Sequence, residues 1–166
     1  MRRISKRAGV TALLAASLCA PLPAMAEQLW LISAGDEFAY LIDADSIVMV
    51  PGDIAKARIY QVYFQPQDVG VGAELRVISV DMDFDCIMRT YQSLESYGLD
   101  DGMNQVVTIP AQEAKPMAAG TNIEKAWNFA CAQDADRATH AQLAAGNATL
   151  TGAVAIAREI GAEQGP

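Results

Sequence analysis

Leu75-Arg76-Val77-Ile78-Ser79-Val80-Asp81-Met82-Asp83-Phe84-Asp85-Cys86 alternates more cleanly than any other segment of this 166-residue chain. Ile78, Val80, Met82, Phe84 and Cys86 fall on one face, and Ser79, Asp81, Asp83 and Asp85 fall on the other. Side chains of a strand point alternately to its two faces, so this pattern predicts a half-buried β-strand with one side on a core and the other in water.

Upstream, Leu29-Trp30-Leu31-Ile32 and Phe38-Ala39-Tyr40-Leu41-Ile42 are short apolar runs that read as a first and second strand, followed by turn or bulge chemistry in Asp43-Ala44-Asp45-Ser46. Ile47–Val50 and Ala55–Phe64 flank Pro51-Gly52-Asp53, which predicts a β-hairpin. In its second arm neither face is fully polar, as expected of a central strand covered on both sides. Residues 65–72, with Pro66, Gly70 and Gly72, read as a loop. The opening strand is expected to run on through Cys86 toward Tyr91. A further strand, Tyr91–Tyr97, leads to the hairpin dipeptide Asp101-Gly102 and to a return strand, Gln105–Ile109, stopped by Pro110.

After a connector over residues 110–120 the period changes. Thr121-Asn122-Ile123-Glu124 matches the capping box, and Ile123, Ala126, Trp127, Ala130 and Cys131 follow helical spacing. The fold class that results is α+β: an antiparallel sheet of about five to six strands with one C-terminal helix packed on it. The organisation reads as a signal peptide over 1–26, an α+β domain over 27–131 and an Ala-rich tail over 132–166. Two helix-prone pieces of that tail, roughly Asp134–Ala145 and Leu150–Ile160, suit either a docked helical hairpin or a partly disordered appendage. Glu163-Gln164-Gly165-Pro166 offers nothing to bury.

The first 26 residues have a basic start (Arg2, Arg3, Lys6, Arg7), an apolar run from Ala8 to Ala20, and Ala24-Met25-Ala26 as a cleavage pattern. They read as a secretory signal peptide cut after Ala26, with no transmembrane segment in the mature chain. Cys19 follows Leu18, a poor context for lipidation, and falls in the discarded peptide. The mature chain keeps eight of the basic and all twenty acidic residues, a balance of −12. That excludes a general nucleic-acid role. Cys86 and Cys131 remain, an even pair without metal-type spacing in an exported chain, and read as a disulfide that fastens helix to strand on their shared apolar side.

Chemistry-bearing patterns are sparse. Asp81-x-Asp83-x-Asp85 resembles the start of a calcium loop, but the required glycine and bidentate Glu are replaced by Cys86 and Gln92. The three carboxylates read as a solvated face, with no metal and no cofactor expected. His140, the only histidine, lies in the tail, and no serine has nucleophile-elbow flanks. No catalytic residue is assigned and the chain is not expected to be an enzyme. Tyr40, Tyr60, Tyr63, Phe64, Tyr91, Tyr97 and Trp127 could line a ligand groove, but their placement favours core packing. Asn147-Ala148-Thr149 is a formal glycosylation sequon with little weight behind a bacterial-type signal peptide.

Trp30 in the first strand, Tyr40-Leu41-Ile42-Asp43-Ala44-Asp45-Ser46-Ile47, a strand ending in Asp85-Cys86, and a Gly120-Thr121…Cys131 helix, in that order, resemble the bacterial surface-adhesin protein E family over about residues 29–131. The resemblance implies an antiparallel sheet with a packed helix and a cysteine bridge. It also implies lipid-anchored surface proteins that bind host matrix components such as vitronectin and laminin and can dimerise. This chain departs in its lipidation context, in lacking a matching basic host-binding segment, and in its tail. The resulting expectation is an exported, non-catalytic binding protein at the cell surface or in the periplasm. Its partner is a protein or envelope macromolecule, or a second copy in a homodimer, and its ligand-binding residues are unassigned. The alternative is a periplasmic accessory module that binds a cell-wall component or another envelope protein.

Overall fold

A computed structural model describes residues 28–68, 70, 72, 74–144 and 149–164. The expected signal peptide, with its cleavage site and Cys19, lies outside the described residues, as do Asn147 and Ala148 of the sequon and the last two residues of the tail. Six strands, β1 (Leu29–Ala34), β2 (Phe38–Val50), β3 (Ile54–Asp68), β4 (Glu74–Asp85), β5 (Thr90–Leu99) and β6 (Gln105–Ile109), form an antiparallel meander. The two-residue strand β7 (Lys115–Pro116) pairs with β5. Helix α1 (Asn122–Cys131) follows, then the two-residue strand β8 (Leu143–Ala144), which pairs with β1, and helix α2 (Leu150–Gln164). The sheet order is β6-β5-β4-β3-β2-β1-β8.

Short turns with their own side-chain bonds set this meander. At Pro51-Gly52-Asp53 the chain passes through φ +92° and +57° at Gly52 and Asp53, which glycine adopts freely and aspartate tolerates. The opening strand ends at Asp85 and does not run on to Tyr91. The Asp85 carboxylate accepts hydrogen bonds from the amides of Ile87 (3.0 Å) and Met88 (2.7 Å) and folds residues 86–89 into a turn. The β5–β6 loop is closed by Asp100, whose Oδ1 accepts from the amides of Gly102 and Asn104, both at 2.8 Å. Those bonds, with Asn104 first, hold the Asp100 carboxyl below its ordinary range.

Two irregularities lengthen the strands beyond the sequence expectation. Asp43–Ser46 is a bulge inside β2: pairing with β3 shifts between Asp43 and Val48, and Ser46 Oγ donates to Asp43 O (2.6 Å) while accepting from Arg58 N (2.7 Å). β3 continues to Asp68 through the expected loop, since Gln67 and Asp68 pair with Leu75 and Glu74. The register shift between Val62 and Gln67 takes up Pro66, which cannot donate to a ladder. At the other edge Gly98 lets β6 and β4 approach, because a Cβ there would collide with Val107 and Leu75.

Both faces of the sheet carry apolar side chains, and β3, the central strand, feeds both. On one face Ile42, Ala55, Ala57, Ile59, Met82 and Phe84 pack with Ala126, Phe129 and Ala130 of α1. On the other, Leu29, Leu41, Tyr60, Val62, Phe64 and Val77 pack with Leu150, Val154 and Ala157 of α2. The α1 stripe is rolled from the expected one: Phe129, absent from the sequence reading, is fully buried, while Trp127 and Cys131 sit on the flank. From there Trp127 Nε1 donates to Asp85 O (3.0 Å), and Cys131 bonds Cys86 with Cα atoms 5.6 Å apart. Thr121 caps α1 through Oγ1, accepting from Glu124 N (3.2 Å), and the Glu124 carboxylate accepts from Gly120 N (2.7 Å).

The tail resolves the open alternative in favour of docking, but not as a helical hairpin. Its first piece forms only a 3-10 turn at Arg137–His140 and then β8. That stretch lacks large apolar side chains to bury as a helix, and edge pairing with β1 satisfies its backbone instead. The second piece is α2, fastened at its far end by Asp101. The Asp101 carboxylate accepts from Arg76 Nε (2.5 Å), and Arg158 Nη2 of α2 donates to Asp101 O (2.9 Å). Arg76 is itself 5% exposed and also donates to the carbonyls of Tyr63 (3.1 Å) and Phe64 (2.8 Å).

Candidate functional site

The ten-residue α1 is about 15 Å long at about 1.5 Å per residue, whereas a twelve-residue strand such as β4 spans about 40 Å at about 3.3 Å per residue. Pinned at the Cys86 end, the helix covers only that half of its sheet face. The other half is a groove of about 240 Å³. Ile59, Ile78, Val80 and Met82 contribute its floor, Ile109 and Ile123 close two sides, and Gln61, Ser93, Ser96 and Gln112 supply polar atoms. No charged side chain among the described residues lines it.

The register explains the polar atoms. Met82 stands opposite Ser93 and Val80 opposite Ser96, so β5 presents serines to a face where β4 presents apolar residues. The weak alternation of Tyr91–Tyr97 was the sequence signal for this, since inward serines break a core pattern. Gln61 does the same on β3, opposite Tyr40 and Ile78. Tyr40 also lines the groove, and burial, with Tyr91 nearby, pushes its phenol well above the ordinary range. It is a neutral donor there and supplies no acid-base chemistry near neutral pH.

The remaining sequence-marked residues are dispersed. Of the three aspartates expected to face water, Asp83 is opposite Lys56 and Asp81 opposite Arg58, paired at 2.8 Å each. Asp85 closes the turn. The acidic face is therefore neutralised across strands, and its side chains are too exposed for these pairs to contribute more than about 1 kcal/mol each. The hydrogen bond that the Arg58 guanidinium donates to Asp81 raises the Arg58 pKa above its ordinary value. Among the described residues, no group of three or more His, Cys, Asp or Glu is arranged to hold a metal ion. His140 is exposed on the 3-10 turn. Of the aromatics, Tyr40, Tyr60 and Phe64 are buried as core. Tyr40 and Tyr91 also line the groove, and Trp127 carries the Arg89 guanidinium 4.6 Å above its ring.

A six-strand meander, a helix tied to the end of β4 by Cys86–Cys131, and a Trp-bearing first strand coincide with the sequence profile of surface-adhesin protein E, which matches residues 30–132. The chain belongs to the surface-adhesin protein E family. In one crystal form Haemophilus influenzae protein E is similar in fold, with a TM-score of 0.50 at 13% identity over 67% of this chain and 91% of that one. A second structure of Haemophilus influenzae protein E has a TM-score of 0.47 at 13% identity, over 69% of this chain and 90% of that one. None of the curated proteins matches the sequence. The family match ends just after Cys131, so the 3-10 turn at Arg137–His140, β8 and α2 lie beyond it. No helix among the described residues is long and apolar enough to cross a membrane.

Proposed function

We propose that this adhesin-family protein is an exported, non-catalytic binding module that recognises a protein of the extracellular matrix through the open half of its α1-bearing sheet face. The observation that carries the reading is the uncharged groove of Ile59, Ile78, Val80 and Met82 in a chain that is otherwise strongly acidic. A groove of about 240 Å³ takes one or two apolar side chains. Such a pocket suits the anchor residue of a protein partner, with Gln61, Ser93 and Gln112 as hydrogen-bonding rim. Export is supported by family membership together with the disulfide, which persists in oxidising compartments.

The test is direct binding of residues 27–166 to immobilised vitronectin and laminin at physiological salt, beside an Ile78→Asp variant whose fold is checked by circular dichroism. Saturable binding that the folded variant loses supports the reading. Absence of binding to both proteins sinks it. A periplasmic accessory role is the second reading, favoured by the poor lipidation context of Cys19. Protease added to intact cells separates the two, since only a surface-exposed chain is cut.

A further inference from the structure

A second cavity, of about 620 Å³, opens on the other side of α1, where the residues after Cys131 meet the bulged part of β2. Its size falls within the roughly 300–1,000 Å³ of small-molecule sites. Gln28, Trp30, Asp45, Met49, Asp134 and Arg137 all line it. In contrast to the uncharged groove, this wall combines an indole, an amide, two carboxylates and a guanidinium.

Arg137 is the informative member. Its side chain is 16% exposed and pairs through Nη1 with Asp134 at 2.7 Å, while Asp134 stands 90% exposed. Its Nε is buried and has no hydrogen-bond partner among the described residues. A buried donor left unmet is costly, so the guanidinium gains from an acceptor brought against it. Trp30 is partly exposed and its ring is held against Phe129, at 5.5 Å between centroids and a 50° tilt. It is therefore a fixed aromatic wall.

An anion in this cavity is opposed by Asp45 and Asp134, and a cation is opposed by Arg137. The mixed wall favours a neutral ligand that donates and accepts at neighbouring atoms. A hydroxyl does both, accepting from a guanidinium N–H while donating to a carboxylate. A pyranose ring adds an apolar C–H face that packs on an indole, whose amphipathic ring suits such half-wet contacts. We propose that this cavity binds a neutral saccharide, with its ring on Trp30 and adjacent hydroxyls shared between the Arg137 guanidinium and the carboxylates of Asp45 and Asp134. The site is separate from the uncharged groove, and the inference does not depend on the matrix-protein reading.

The experiment is titration of residues 27–166, with the disulfide intact, against chitotetraose as a wall-type saccharide and N-acetyllactosamine as a host-type one, followed by calorimetry and ligand-observed NMR. Saturable binding of either sugar is expected, and which one binds identifies the source. Arg137→Lys keeps the charge but removes the planar guanidinium, and is expected to weaken binding about tenfold or more, the scale of one lost hydrogen bond to a charged group. If that variant unfolds, Asp45→Asn, at an exposed position, serves the same purpose and is expected to weaken binding similarly. No saturable binding of either sugar overturns the inference, as does binding that the folded variants leave unchanged. Absence of sugar binding by the parent chain, with its matrix-protein binding intact, would overturn this site alone.

Discussion

Replacing Cys86 and Cys131 together by alanine removes a cross-link between residues 45 apart in sequence. In the chain-entropy model a loop of that length restricts the unfolded chain by about 13 cal/mol/K, or about 4 kcal/mol at 25 °C, and measured bridges commonly deliver about 2–4 kcal/mol. The native fold should survive, because α1 stays seated through Ala126, Phe129 and Ala130, and Trp127 Nε1 still donates to Asp85 O. Guanidinium unfolding followed by fluorescence of Trp30 and Trp127 should therefore show a two-state transition at lower denaturant. The expected loss is about 2–4 kcal/mol, a fall of about 30- to 1,000-fold in the ratio of folded to unfolded molecules. The m-value should rise, since the uncrosslinked unfolded chain exposes more surface. A loss below about 1 kcal/mol with unchanged m would refute the argument that the bond acts by restricting the unfolded chain.

Phe129→Ala empties the largest buried position of α1 and is expected to cost about 3–5 kcal/mol in the same unfolding assay. Gly98→Ala drives a methyl group into Val107 and Leu75 and should cost about 1–3 kcal/mol, with hydrogen exchange rising first along β6. Asp101 is held below its ordinary pKa, first by its hydrogen bond to Arg76 and then by Arg158. A carboxyl depressed in the folded state adds stability that is present above its unfolded pKa of 3.8 and is lost as pH falls through the folded value. Asp101→Asn should thus be less stable than the parent at neutral pH, by a small margin because the side chain is 46% exposed. The gap should close below pH 3.8, and melting curves at a series of pH values check this.

Local periodicity carried the secondary structure well wherever one face met a core. The alternation of Ile78 to Cys86 and the Thr121…Glu124 cap each identified an element by itself, and both cysteines pointed to the apolar side on which they meet. Strand ends were less legible. Asp85 stops β4 by turning its carboxylate onto two amides, and nothing in the alternating pattern distinguishes that aspartate from Asp81 or Asp83. Phe129 escaped notice because helical spacing specifies a stripe but not how the helix rolls on a particular sheet.

What the sequence determined alone was therefore local or paired by type: an α+β chain, a capped helix, two cysteines for one bridge, and a family likeness carried by short motifs in order. The side-chain partners across strands, by contrast, depend on register. Lys56 meets Asp83 and Arg58 meets Asp81 because the register of β3 on β4, with its shift between Val62 and Gln67, sets each pair opposite. Asp101 reaches both Arg76 and Arg158 only once α2 has crossed the second face. The open groove exists because a ten-residue helix is tied to one end of a longer sheet. A one-residue slip in that pairing would turn every strand side chain to the opposite face, so such partners follow from long-range alignment that local pattern does not encode.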